Sequence, residues 1–251
     1  MTMHEPFVVE MADAVAMVGL QTGKANAINP AFLEAAGAAL DKAAGAAAIV
    51  LTGHGRFFCA GLDLVTLFEF GRSQMLEFMG QFDRLVLRLF TWPAPVVAAI
   101  NGHAIAGGCI LALACDVRIM ARGEFRAGLN EIELGLPFPT SALEVARASL
   151  PPAHLETLLY GGQLYEPEEL NAKGIVDGLA DHDAVLIESL EVAQHLAAKP
   201  PQAFAQIKAS LRRPFAERIE AAIRGGTDRF VDAWFHPDAR ARIGEARQAL
   251  L

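Results

Sequence analysis

The chemistry-bearing part of this chain is concentrated in two glycine-containing segments, Phe57-Phe58-Cys59-Ala60-Gly61-Leu62-Asp63-Leu64 and Asn101-Gly102-His103-Ala104-Ile105-Ala106-Gly107-Gly108-Cys109. Each lies where a β-branched or aromatic run gives way to a helical pattern. A glycine at such a junction lets a ligand approach main-chain N–H groups, and N–H groups from two turns can converge on one developing oxyanion. In the second segment Ala106, Gly107 and Gly108 open an apolar helix, whose first turn offers unpaired donors and the positive end of the helix dipole. Close packing of a helix on a strand would use the same small residues, and it is the pairing with Ala60-Gly61-Leu62 that tips the reading toward acyl chemistry.

The elements that must position these turns follow from periodicity. Residues 7–20 read as a hairpin and 47–53 as a buried strand. Between them a helix starts after Asn29-Pro30, with Asn29 as N-cap and Pro30 at the first helical position. Helices are expected over 63–90 with an interruption near Gly71 to Ser73, then a strand Val96 to Ile100, a helix from Gly107 to Cys115 and a strand 117–120. This alternation predicts a mostly parallel sheet. From Pro139 the pattern becomes almost wholly helical: 139–149, 151–160, 166–173, 183–198, 201–210 and 214–249, with a possible break at Gly225-Gly226.

Composition narrows the function classes. The chain has 251 residues, 53% of them hydrophobic, enough for one large core or for a core plus a helical appendage. No uncharged apolar stretch reaches the roughly 20 residues of a membrane span, and no signal peptide is evident, so a soluble intracellular (cytoplasmic) protein without a membrane partner is expected. The net charge of −8 argues against non-specific nucleic-acid binding. A phosphate-bearing ligand would need a local basic patch, for which Lys24, Arg56, Lys208, Arg212 and Arg213 are available, although solvated surface charge accounts for any one of them. Three cysteines, Cys59, Cys109 and Cys115, sit in apolar surroundings and read as reduced, buried thiols. The seven histidines, His4, His54, His103, His154, His182, His195 and His236, show no metal-ligand spacing. His103 reads as a hydrogen-bonded structural residue, and Asp63 as the cap of the helix after the first glycine turn. No serine-hydrolase elbow or dinucleotide-binding glycine motif is present.

Taken together, Cys59-Ala60-Gly61-Leu62-Asp63-Leu64, Asn101-Gly102 through Gly107-Gly108 and Leu111-Ala112-Leu113-Ala114-Cys115-Asp116 resemble the crotonase superfamily, also called enoyl-CoA hydratase/isomerase. The resemblance runs from Lys24-Ala25-Asn26-Ala27-Ile28-Asn29 through Gly174-Ile175-Val176-Asp177 and more weakly beyond. It implies an α/β fold: a spiral of ββα units with two roughly perpendicular sheets over residues 1–190, and a C-terminal helical region, 191–251, used in trimerisation. It also implies an acyl-CoA thioester substrate, no separate cofactor because CoA is part of that substrate, no metal, and a homotrimer or dimer of trimers.

Carried over residue by residue, the family pattern puts the oxyanion-hole N–H groups on Leu62 and Gly107, the CoA path along Ala60, Gly61, Leu62, Asp63 and Leu64, and Lys24-Ala25 near the adenosine end. Hydratases of the family use two glutamates. The first position is Ile110 here; the second matches Glu131, preceded by Asn130 where proline is usual. That combination is closer to the mitochondrial-type 3,2-trans-enoyl-CoA isomerases, in which one carboxylate moves a proton from C2 to C4. Glu133 is a rival for Glu131, expected on the opposite side of an extended segment and in a structural ion pair. Pro139 stands where related hydrolases carry an aspartate. Trp92, Trp234, Phe230 and Phe235 are expected to be core or subunit packing, with an adenine platform as the other use. Hydratase, hydrolase or decarboxylase activity on a specialised acyl-CoA, or a non-catalytic CoA-binding subunit, remain the alternatives.

Overall fold

The computed structural model describes residues 6–225 and 228–250; His4 and Gly226 lie outside them. Two strands, β1 (Phe7–Ala12) and β2 (Val15–Leu20), form the expected antiparallel hairpin. Helix α1 (Pro30–Lys42) begins as its sequence dictates, with the Asn29 side chain accepting from the Phe32 N–H and Pro30 in the first turn.

Three successive ββα units follow. The first is β3 (Ala48–Thr52), β4 (Phe57–Cys59) and helices α2 (Leu64–Leu67) and α3 (Arg72–Phe90). The second is β5 (Val96–Ile100), β6 (His103–Ile105) and α4 (Gly107–Ala114). The third is β7 (Val117–Ala121), β8 (Ala127–Gly128), a 3₁₀ turn Glu131–Leu134 and α5 (Thr140–Ser149). The first strand of each unit enters a six-stranded sheet, ordered β1-β2-β3-β5-β7-β9 with β9 at Gly178–Ala180; the second enters a three-stranded sheet, β4-β6-β8. The pairings of these strands with one another after the hairpin are parallel.

Asn101 locks one unit to the next: its Oδ1 accepts the Gly53 N–H at 2.9 Å and its Nδ2 donates to the Gly55 carbonyl at 3.1 Å. A Cβ on Gly102 would lie 2.2 Å from the Arg56 carbonyl oxygen, so only glycine permits this approach. The main core fills the space between the two sheets and α1, α3, α4 and α5, while α8 (Val185–Ala197) covers the other face of the large sheet through Ala193 and its neighbours.

The C-terminal half is helical, with α6 (Pro152–Gly161), α7 (Pro167–Ala172), α9 (Pro201–Gly225), α10 (Asp228–Trp234) and α11 (Pro237–Gln248). Two expectations are corrected. Strand β9 interrupts the helical run, because Gly178–Ala180 pairs with Ile119–Ala121, a partner far away in sequence. Helix α9 runs through Pro214 without the expected break at 210–214. Proline inside a helix removes a hydrogen bond and costs about 3 kcal/mol. Here α9 is pinned on both sides of it: Lys208 and Arg212 reach Asp116 before it, and Arg218 Nε donates to Glu144 Oε2 at 2.7 Å after it.

Candidate active site

The first glycine turn is held from both sides. Ala60 N–H donates to the Ala25 carbonyl (3.0 Å), Ile28 N–H to Gly61 (2.8 Å) and Asp63 N–H to Ile28 (2.9 Å). Buried Asn26 ties this loop down, its Nδ2 donating to the Phe57 (3.2 Å) and Phe58 (3.0 Å) carbonyls. Asn26 has φ +50°, a conformation that asparagine tolerates better than most residues, and sequence reasoning did not single it out.

Gly61 has φ +85°, and a Cβ there would stand 2.7 Å from the Ile105 carbonyl oxygen and 3.3 Å from the Gly107 nitrogen. The second turn is pressed against the first by Gly108, whose absent side chain admits the Cys59 carbonyl: a Cβ would be 2.1 Å from that oxygen. Ala106, the residue before α4, takes φ +50° and ψ −120°, strain for an L-residue at the point where Gly107 is presented. Neither Leu62 nor Gly107 uses its main-chain N–H as a hydrogen-bond donor among the described residues. Two residues with free main-chain donors thus border one space.

That space is a cavity of about 530 Å³ whose walls include Leu62 and Gly107. Ala25, Ala60, Asp63 and Leu64 also line it; Lys24 is exposed and does not. The wall also includes Phe82 and Met79 of α3, Ile110 of α4, Ala142 of α5, and Phe230 and Trp234 of α10. The expected core role of these two aromatics is therefore also a role in the cavity wall. Asp63 and Glu131 are the titratable side chains among the lining residues.

These two carboxylates are in opposite states. Partial burial of Asp63 pushes its carboxyl up, but hydrogen bonds from Thr66 and Asn29 outweigh this and hold it below the usual range. Asp63 is committed to capping α2, as expected. Glu131 is buried, 8% exposed, with no partner for Oε2, and its burial raises the carboxyl to about 7. A group with that pKa and a free oxygen can take up and release a proton near neutrality.

Glu133 is exposed and makes no ion pair among the described residues, which corrects the expected structural salt bridge. It shares one 3₁₀ turn, Glu131–Leu134, with Glu131 rather than lying on an extended segment. Lys208 and Arg212 are also removed from the phosphate-binding candidates. Both are paired with Asp116, buried Lys208 through Nζ at 2.7 Å and partly buried Arg212 through Nη2 at 2.9 Å, and Arg212 further donates to the Ala114 carbonyl at 2.9 Å. Arg56, Lys24 and Arg213 are exposed. His103 Nδ1 accepts the Arg126 N–H at 3.0 Å, a structural role. The three cysteines are free and buried, and burial pushes each thiol up to about 12. Among the described residues no group of three or more His, Cys, Asp or Glu is arranged to hold a metal ion, and no helix is long and apolar enough to cross a membrane.

Three ββα units with two glycine turns facing one apolar cavity are the architecture of the acyl-thioester enzymes suggested by the motifs, and the chain belongs to the enoyl-CoA hydratase/isomerase family, whose profile matches residues 10–248. It is 38% identical to a putative enoyl-CoA hydratase of Thermus thermophilus over 62% of this chain; the chain spans 62% of that relative's length. It is 36% identical to enoyl-CoA delta isomerase 3 of Arabidopsis thaliana over 65% of this chain and 72% of the relative. The structure of human mitochondrial delta3-delta2-enoyl-CoA isomerase superposes with a TM-score of 0.93 at 27% identity, covering 98% of both chains.

Proposed function

We propose that this chain is an enoyl-CoA isomerase that shifts a double bond from C3 to C2 of an acyl-CoA thioester. The observation that carries this reading is that Glu131 is, among the described residues, the single carboxylate on the cavity wall not consumed by other hydrogen bonds, while the position of a second acid is filled by Ile110. In the proposed cycle the thioester oxygen accepts hydrogen bonds from the Leu62 and Gly107 N–H groups. Glu131 removes a proton from C2; the C–H electron pair becomes the C1–C2 double bond of the enolate, and charge moves to the oxygen between the two donors. The enolate then collapses. Its electrons form the C2–C3 double bond, the C3–C4 π pair takes the same proton at C4, and Glu131 is restored as a carboxylate.

Water must stay out of this cycle, because a water activated beside the conjugated product would add at C3. Buried Ile110 provides no hydrogen bond to hold one. General-base catalysis of this kind contributes about 10² to 10⁴ in rate. The CoA portion is proposed to run past Ala60, Gly61 and Leu64, with Lys24 and Ala25 toward the adenosine end. Exposed Ile207 and Leu211 on α9 offer apolar surface for the proposed trimer or dimer of trimers.

The test is Glu131→Gln. The variant is expected to keep its affinity for a saturated acyl-CoA, measured by calorimetry, and to lose turnover of a 3-enoyl-CoA by at least about 10²-fold. Undiminished turnover would remove Glu131 from the mechanism.

A further inference from the structure

Helix α11 touches both halves of the site. At one end of this bridge stands Phe68, the residue that closes α2. The Arg240 guanidinium lies over its ring, with Cζ 3.6 Å from the centroid, and Nη2 donates to its carbonyl at 3.1 Å. A planar guanidinium can stack and donate in a fixed fork at once, which an ammonium cannot. One and two turns further along α11, a Cβ on Gly244 would stand 3.7 Å from the same ring, and Arg247 lies 4.8 Å over it while pairing with Glu69 at 2.7 Å. At the other end stands Gly135, which closes the 3₁₀ turn that begins with Glu131. A Cβ on Gly135 would meet Ala239 at 3.7 Å and Arg242 Cδ at 3.8 Å, and Arg242 Nη1 donates to the Glu133 carbonyl at 3.4 Å.

The first of these contacts bears on the oxyanion turn. Helix α2 has four residues, Leu64–Leu67, too few to hold a helical shape without tertiary support. Its first turn is fixed by the Asp63 carboxylate, which accepts the Thr66 N–H and the Asn29 amide, and its end is fixed by Arg240 on Phe68. Leu62 is joined to this helix through Asp63 alone, so a displacement of α2 is passed to the Leu62 N–H. Arg240 itself does not line the cavity. Any effect it has on the chemistry is therefore indirect.

We propose that α11 is a strut that sets the separation between the Leu62 N–H and Glu131, and that Arg240 is the positioning residue at its oxyanion end. The proposal rests on the reading that Leu62 and Glu131 act on one thioester. The bonds of Ile28 to Gly61 and Asp63 still hold the turn when Arg240 is removed. The expected loss is therefore about tenfold in kcat, less than the roughly 10² to 10³ that a missing oxyanion donor costs.

The experiment compares wild type with Arg240→Met, which keeps an unbranched stem and loses the fork. The probe is a cinnamoyl-CoA with a para-dimethylamino group, whose absorption moves to longer wavelength as hydrogen bonds polarise the thioester carbonyl. The variant is expected to bind it with a Kd within about threefold of wild type, to show a smaller red shift, and to turn over a 3-enoyl-CoA about tenfold more slowly. A variant that melts at a lower temperature but keeps the wild-type red shift and kcat overturns the proposal, because Arg240 then serves stability alone. So does a weakened Kd with unchanged kcat, which would place Arg240 with the ligand. Arg240 is partly exposed, and should Arg240→Met not fold, Arg240→Lys decides: it keeps a charge and a donor without the planar stack, so a smaller shift at unchanged Kd is expected and a wild-type shift contradicts the proposal. If wild type does not isomerise a 3-enoyl-CoA, the functional reading fails separately, and the red shift, which needs no turnover, still decides. Absence of any shift in wild type would remove the oxyanion donors and this proposal together.

Discussion

A side chain on Gly61 would have its Cβ 3.3 Å from the main-chain nitrogen of Gly107, so the two glycine turns approach each other as closely as bare backbone allows. Gly61→Ala is therefore expected to fail twice. Its φ of +85° costs an L-residue about 1–2 kcal/mol, and the methyl group meets the Ile105 carbonyl at 2.7 Å. The turn must shift, displacing the adjoining Leu62 N–H from the acyl oxygen. Losing one such donor reduces kcat by about 10² to 10³. Steady-state kinetics together with a thermal melt check this; a folded variant with normal kcat would separate the turn from catalysis.

The ionisation of Glu131 sets a pH dependence with a defined sign. The base is active when ionised, so kcat/KM should fall below the carboxyl's pKa of about 7 and level off above it. Stability runs the other way. A carboxyl whose folded pKa is raised favours the fold while protonated, and that contribution is lost as pH rises from the unfolded value through the folded one. The shift from 4.5 to about 7 corresponds to roughly 3 kcal/mol. Glu131→Gln should thus be more stable than wild type near pH 8, with the advantage shrinking toward pH 5, as read by urea unfolding. Buried Asp83, raised to about 6 despite donation from Ser141, adds to the same trend in both proteins.

Ile110→Ala should test water exclusion. Ile110 is fully buried, and truncation costs about 2–5 kcal/mol through the cavity it leaves. The enlarged space beside Glu131 should raise the ratio of 3-hydroxyacyl-CoA to conjugated enoyl-CoA among the products, measured by chromatography. An unchanged ratio would show that Ile110 does not control water.

Asp116 holds two cations, buried Lys208 and partly buried Arg212, and also accepts the Val96 N–H at 2.8 Å. Asp116→Asn should destabilise the fold by about 3–5 kcal/mol by leaving those charges uncompensated. Lys208→Met should leave KM for the thioester unchanged in the folded enzyme, because Lys208 serves α9 and not a phosphate. A large rise in KM would return it to the ligand site.

Much of this was legible from residue types. Asn29-Pro30 marks the start of α1, the Val96–Ile100 run marks a fully buried strand, and Gly61 and Gly107-Gly108 mark turns of close approach. The second sheet was expected only through the family resemblance, since β4, β6 and β8 have only two or three residues each and are defined by their partners rather than by their own periodicity. Strand β9 was hidden for the same reason. Pro214 misled because the local rule against proline in a helix was overridden by tertiary anchors at Asp116 and Glu144. Asn26 and Ala106 carry positive φ angles that follow from the contacts of the two turns. The place of Phe230 and Trp234 in the cavity wall depends on how α10 packs against the core, which helical periodicity alone does not specify.

The most direct test of the central claim is product analysis of the purified protein incubated separately with a 3-enoyl-CoA and a trans-2-enoyl-CoA, with Glu131→Gln as control. The account predicts conversion of the first to the conjugated 2-enoyl thioester, little hydration of the second, and loss of the conversion in the variant. Efficient formation of 3-hydroxyacyl-CoA from the second substrate, or isomerisation that survives the loss of the Glu131 carboxylate, would contradict it.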